Sequence, residues 1–245
     1  GAGEPIARLL ALSGGEAYLK SAALSSLNSS NIGVALAALY RDDAADAALE
    51  ALRGEVLALA TALGEADALN NAVSRILQPK DGAYAAWQFA AMPGVLKAIS
   101  KRGAKFDAAQ AEAWKAMLNA ARASLVEEKS IDARTAAAHL LSAADDGQSE
   151  SDAALLAQCL TPHTPSAVQS AAAEVLVRLN QPAKVFDLWQ TLTPHVQADV
   201  LDVLLERPAA TTELIAKLES GDVPTASIDP ARRQALLQLN DDSLK

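Results

Sequence analysis

Between Pro165 and Arg207 the chain reads as a helix, a corner marked by Gln181-Pro182 and a second helix, and the first helical pattern then starts again at Thr193-Pro194. A repeated unit constrains a fold more strongly than a single motif does. One helical hairpin cannot bury its own apolar stripe, so it needs a neighbour on which to stack. The sequence therefore predicts a row of stacked helical hairpins.

Four predicted first helices align on Leu19, Ala133, Val168 and Val196. One position later each copy has a long polar residue, four later a small or apolar one, and eight later a leucine: Lys20, Arg134, Gln169, Gln197; Ala23, Ala137, Ala172, Val200; Leu27, Leu141, Leu176, Leu204. Two aligned positions, Ser26 and Asp199, depart from the apolar pattern. The copies start 114, 35 and 28 residues apart, and 114 is three steps of 38. Repeats of the HEAT and armadillo type are about 40–47 residues long, so these units would be trimmed ones.

Composition supports an all-α fold. The chain has 56 alanines and only 4% aromatic residues, and alanine is the best helix former. We predict an α-α superhelix of HEAT or armadillo type in one domain, residues 1–245. Its clearest repeats lie at 130–220, and its segment 221–245 caps the last layer, with Leu236, Leu237 and Leu239 as candidate capping side chains.

Prolines mark the predicted corners. Thr164-Pro165, Thr193-Pro194 and Asp229-Pro230 each place a capping side chain before a proline at the first helical position. Met92-Pro93-Gly94 predicts either two helices or one sharply kinked helix between residues 83 and 102. The second helix after Gln181-Pro182 is predicted to carry Val185, Leu188, Trp189 and Leu192 on one apolar stripe.

The net charge of −9 argues against a nucleic-acid partner, because phosphate neutralisation requires clustered lysine and arginine. The one basic cluster, Lys97, Lys101, Arg102 and Lys105, is interpreted as a solvated helix end whose cations complement the helix dipole. No apolar run is long enough to predict a membrane span. The single cysteine, Cys159, excludes an intrachain disulfide and is interpreted as a buried thiol.

Two histidines are the main candidates for chemistry. His163 and His195 occur in the matching tripeptides Thr161-Pro162-His163 and Thr193-Pro194-His195, and neighbouring repeats could bring them to one site. No further ligand at a recognised metal spacing accompanies them, so we assign no metal, cofactor or catalytic residue and interpret both as polar residues at helix starts.

One acidic cluster and the three tryptophans are interpreted as structural residues. The acidic residues Asp42, Asp43, Asp46 and Glu50 are predicted to cap a helix and to face solvent. Trp87, Trp114 and Trp189 could form a ligand platform, but a place in the core is the preferred interpretation.

Residues 130–240 resemble a known segment. The passages that carry the resemblance are Val168-Gln169-Ser170-Ala171-Ala172, Leu204-Leu205-Glu206-Arg207, Leu218-Glu219-Ser220-Gly221 and Ile228-Asp229-Pro230-Ala231-Arg232-Arg233. They are similar to the HEAT-like helical region of large planctomycete-type secreted proteins, in which a sugar-dehydrogenase-like β-propeller precedes the helices and a c-type haem domain follows them. The resemblance implies an extracytoplasmic setting and a connector role within a larger protein. The chain has no Cys-x-x-Cys-His motif of its own.

These observations favour a non-catalytic scaffold or protein-interaction module, whose partner is another protein or a neighbouring domain. An enzymatic or cofactor-handling domain that uses groove residues around His163, His195 and Asp199 is the alternative. Nucleic-acid binding, as in HEAT-like glycosylases, is the third hypothesis, and the acidic charge argues against it.

Overall fold

The computed structural model describes residues 2–12, 16–41, 47–127 and 130–238. The fold is all-α, as predicted: the described residues contain no β-strand, and one isolated bridge joins Lys80 and Ala83. Fourteen α-helices are present in these ranges: α1 (Gly3–Leu12), α2 (Ala17–Ser25), α3 (Ile32–Leu39), α4 (Ala47–Ala62), α5 (Ala66–Leu77), α6 (Ala86–Lys101), α7 (Ala108–Glu127), α8 (Ile131–Leu141), α9 (Ser149–Gln158), α10 (Ser166–Arg178), α11 (Pro182–Phe186), α12 (Pro194–Leu205), α13 (Pro208–Ser220) and α14 (Pro230–Gln238).

The chain divides into two compact units, Gly1–Ala121 and Arg122–Lys245. In unit 1, α1 packs on α2 and α3, α3 packs on α4 and α5, and α4 and α5 both pack on α6. In unit 2, α10 packs on α8, α9, α11 and α12, while α12 also packs on α13 and α14. The prediction of a single domain over 1–245 stays a prediction.

The sequence alignment corresponds to one helical position. Leu19, Ala133, Val168 and Val196 are each the third residue of their helix, so the polar residue that follows is always the fourth. The residues four and eight positions after them are buried in all four copies, with at most 7% of each exposed. The first helices therefore present the same inner face in every aligned copy.

The caps are confirmed at two of the three proline corners. The Thr193 hydroxyl accepts from the Val196 amide at 3.4 Å, and Asp229 Oδ1 accepts from the amides of Ala231 and Arg232 at 2.8 and 3.0 Å. The prediction for Thr164 is wrong. Pro165 is itself the N-cap, and the Thr164 hydroxyl lies 3.1 Å from that of Thr161. The buried Gln169 amide ties this corner instead, because its Nε2 donates to the carbonyls of Thr161 and Thr164.

Two predicted helices differ from the observed ones. α6 is one continuous helix with Pro93 inside it, so the two-helix alternative is wrong. Met92 and Val95, on either side of the proline, are fully buried, and this packing holds the helix together where the local rule predicts a break. The predicted second helix after Pro182 is present as α11, and Val185, Trp189 and Leu192 are buried, but the helix is shorter than predicted. It ends at Phe186, and Trp189–Thr191 forms a 3₁₀ turn.

The predicted capping residues of the last segment differ in burial, and Leu236 is half-buried. Val223 and Ile228 are buried, at 0% and 5% exposure, whereas Leu237 is 76% exposed. Leu239 lies outside the described residues. None of the helices in the described ranges combines the length and the apolar character needed to cross a bilayer.

Candidate interaction surface

Polar side chains connect neighbouring first helices of unit 2. His139 on α8 lies 4.0 Å from Glu174 on α10, the Ser170 hydroxyl on α10 donates to Asp199 on α12 at 2.6 Å, and Arg232 on α14 donates to Asp202 on α12 at 2.7 and 2.8 Å. We call this set the first-helix ladder: His139, Ser170, Glu174, Asp199, Asp202 and Arg232. These contacts link α8 to α10, α10 to α12 and α12 to α14 through side chains that are at least partly exposed.

The ladder is a charged surface with locally balanced pairs. The hydrogen bonds that Arg232 donates to Asp202 raise the pKa of this guanidinium, which also pairs with Asp229. The backbone amide of Arg232 is the main cause that lowers the pKa of Asp229. Burial lowers the pKa of His139, while Glu174 opposes that shift and Arg178 adds to it. Most of these carboxylates are therefore held in place by a neighbour.

The two candidate histidines lie in different parts of unit 2. His195, in the first turn of α12, is 76% exposed and places Nε2 3.9 Å from Asp199 on the ladder. His163 is exposed in the turn between α9 and α10. Within the described residues, no three His, Cys, Asp or Glu side chains converge in a way that could hold a metal ion. His195 and Asp199 are thus brought together, whereas the structure shows no contact between His163 and His195.

A second set of polar contacts lies under the surface and fixes the helices. Asp152, in the first turn of α9, has a side chain only 2% exposed and receives two hydrogen bonds from Arg122, at 2.6 and 2.9 Å. Arg122 also pairs with Asp146 at 2.8 Å in the preceding turn. A bidentate pair of this kind orients both partners, so it positions α9 rather than forming a binding site.

The buried glutamine and arginine side chains were missed as anchors. The sequence showed a long polar residue one position after each alignment point. It did not show which backbone groups that residue would bind. Gln169 and Gln197 both use that position to donate to carbonyls of the preceding corner, Gln197 to Trp189 at 2.9 Å. Arg53, which is fully buried, gave no local signal, because its neighbours Tyr40 and Trp87 are distant in sequence.

The cysteine and the tryptophans occupy the core. Cys159 is 4% exposed, its thiol faces the Leu155 carbonyl, and burial raises its pKa, which disfavours the reactive thiolate. Trp87, Trp114 and Trp189 are 2%, 6% and 1% exposed. These burials confirm the structural interpretation of all four side chains.

The basic and acidic clusters give different outcomes. Lys97, Lys101 and Lys105 are exposed, and Arg102 donates to the Gly64 carbonyl at 3.0 Å just past the end of α4, which fits a helix-end role. Asp42, Asp43 and Asp46 lie outside the described residues, as does the side chain of Glu50.

Comparison with protein-family models, with curated proteins and with solved structures finds no match for this chain.

Proposed function

We propose that the chain is a non-catalytic HEAT-like scaffold, an α-α superhelix that presents the first-helix ladder to a protein partner or to a neighbouring domain. The resemblance of residues 130–240 to the helical region of planctomycete-type secreted proteins supports a connector role in a larger extracytoplasmic protein.

The observation that carries the proposal is the regular sequence distance between bonded side chains. In unit 2 the hydrogen bonds of Ser170 with Asp199, of Arg232 with Asp202 and of Lys184 with Glu150 join residues 29, 30 and 34 positions apart. In unit 1 Lys20 with Glu55 and Arg102 with Gly64 are 35 and 38 apart. Each distance is about one predicted repeat, and contacts between residues one repeat apart are what a one-dimensional stack requires.

The ladder supports an interaction role because its groups are exposed and pre-positioned. Asp199 and Asp202 retain 42% and 63% side-chain exposure even though each is hydrogen-bonded. Anchored side chains lose less conformational entropy when a partner binds. Unit 2 carries 10 lysine and arginine residues against 18 aspartate and glutamate residues, so a partner with a basic surface would be attracted to it.

The experiment compares two charge reversals. The purified chain is immobilised, proteins from an extracytoplasmic extract of the source cells are captured and identified, and the affinity of each purified candidate is measured. We expect Asp199→Lys, on the ladder, to weaken binding of the true partner at least tenfold. The control Asp187→Lys, an exposed acid after α11, leaves it nearly unchanged. A partner that binds wild type and Asp199→Lys equally would contradict the role of the ladder.

A further inference from the structure

Helix α14 is attached to unit 2 differently from the helices before it. Helices α8 to α13 each bury at least three side chains, whereas none of the α14 side chains that the structure describes is buried. Leu236 is half-buried, and Leu237 is 76% exposed. Because packing of an apolar face is what holds most helices on their neighbours, α14 depends on another kind of contact.

One arginine supplies that contact. Arg232, in the first turn of α14, donates through Nε and Nη2 to the two carboxylate oxygens of Asp202 on α12, at 2.8 and 2.7 Å. Its Nη2 also donates to the Ala198 carbonyl of α12 at 3.0 Å, and its Nη1 pairs with Asp229. The guanidinium therefore joins α14 to α12 and to the residue that precedes α14.

The chain is fixed immediately before this helix. Val223 and Ile228 are buried, and α14 begins two residues after Ile228, at Pro230. The helix can therefore leave α12 without opening the core of unit 2. Its nine residues are too few to form a stable helix alone in water, so α14 unfolds when it leaves α12.

We propose that α14 is a strap that docks reversibly on α12 and, while docked, occupies Asp202 with the chain's own arginine. Ion pairs at a protein surface contribute little to stability and are screened by salt, so the undocked state is populated at equilibrium and grows with ionic strength. Undocking frees both carboxylate oxygens of Asp202, on the first-helix ladder, for a basic group of a partner. Only this last consequence rests on the proposed function.

Hydrogen–deuterium exchange of the full chain, measured by mass spectrometry of peptic fragments, tests the proposal without a partner. Arg232→Gln should speed exchange of the α14 amides on the order of tenfold, because hydrogen bonds to a charged group are lost. The amides of α10 should exchange as in wild type. Arg233→Gln is the matched control, since it makes the same change at the next position, where the side chain is exposed, and it should leave α14 protected.

Ionic strength provides a second readout. Raising the salt concentration from about 0.05 M to about 1 M should speed exchange of α14 in wild type and in Arg233→Gln, but not in Arg232→Gln, which has lost the ion pair that salt screens.

Equal exchange of α14 in wild type and Arg232→Gln overturns the proposal, and so does equal acceleration in the two variants. Faster exchange that extends to α10 also overturns it, because Arg232 would then support the core of unit 2 rather than a detachable helix. None of these measurements involves a partner, so failure of the strap is distinguishable from failure of the ladder as a binding surface.

Discussion

The two units are both all-helical and both tie helix ends with arginine and glutamine side chains, but their surface charges differ. In unit 1, Arg53 donates to the Leu39 carbonyl and Gln88 donates to the Ile76 carbonyl. In unit 2, Gln169 donates to the Thr164 carbonyl and Arg207 donates to the Val177 carbonyl. Unit 1 is nearly neutral, whereas unit 2 holds almost all of the net charge.

The units also differ in which side chains reach the surface. Unit 1 has six of the nine exposed large apolar residues in the described part of the chain. Unit 2 combines an acidic composition with the buried Arg122–Asp152 pair. Substitutions in the two units should therefore differ in their cost, which is greatest where a buried charged pair is broken.

The largest effect is expected for Asp152→Ala in unit 2. Removal of this buried carboxylate takes away the bidentate partner of the Arg122 guanidinium, which keeps only Asp146. The expected loss therefore lies at the lower end of the cost of breaking a buried pair, about 3 kcal/mol. Urea unfolding followed by circular dichroism measures the loss. Asp145→Ala, at an exposed acid in the same loop, is the control and leaves the free energy of unfolding within about 0.5 kcal/mol of wild type. Equal stability of Asp152→Ala and wild type would refute the anchoring role.

A somewhat smaller loss of stability is expected when a leucine is introduced at Ala172. Ala172 is fully buried at the position where small residues let first helices approach each other, so Ala172→Leu is expected to destabilise unit 2 by about 1–3 kcal/mol. Ala167→Leu, at an exposed position of the same helix, measures the effect of leucine without overpacking. If both variants have the same denaturation midpoint, close helix approach at Ala172 is not needed.

A smaller effect is predicted for unit 1 at Gly3. The Cβ of Gly3→Ala would contact the Asn31 carbonyl oxygen at 2.5 Å and Val34 at 2.8 Å, so α1 must shift, at a cost of roughly 1–2 kcal/mol. Gly54→Ala is the matched control, because its Cβ meets nothing within 4 Å and alanine favours the helix by about 0.5–1 kcal/mol. Opposite signs of the two changes in melting temperature are expected, and matching signs would contradict the close packing of α1 on α3.

The smallest effect concerns His139. Burial lowers its pKa below the unfolded value, so the folded protein binds this proton less readily than the unfolded chain does. Stability from this group is present above the unfolded pKa and declines as the pH falls from about 7 to 5. His139→Gln should remove part of the acid-induced decrease in melting temperature, whereas His163→Gln, at an exposed turn, should not. An unchanged pH profile in His139→Gln would show that this histidine is not coupled to folding.

Helix starts and helical register could be predicted from the sequence, because both depend on residues within one or two turns. The start of α12 and of α14 followed from Thr193-Pro194 and Asp229-Pro230, since a capping oxygen and a proline act within one turn. The helical register was also readable, because burial every three to four residues depends only on helix geometry.

Features that depend on contacts between residues distant in sequence could not be predicted. The sequence predicted that Trp189 is buried, but it did not predict the 3₁₀ turn that contains this residue. In that turn the Thr191 hydroxyl donates to the Leu160 carbonyl, which lies 31 residues away in sequence. Burial of Arg53 likewise depends on its stacking against Tyr40 and Trp87. At the candidate surface, His195 was identified from its tripeptide, while its partner Asp199 and the ladder around it needed the packing of α10 on α12.

The proposal of a stacked-repeat scaffold is best tested by small-angle X-ray scattering of the chain, extrapolated to low concentration. A compact globule of this length has a radius of gyration of about 18 Å. The stacked repeats predict a clearly larger radius and a distance distribution with an extended tail. A radius near 18 Å with a symmetric distance distribution would contradict the superhelix and the scaffold function built on it.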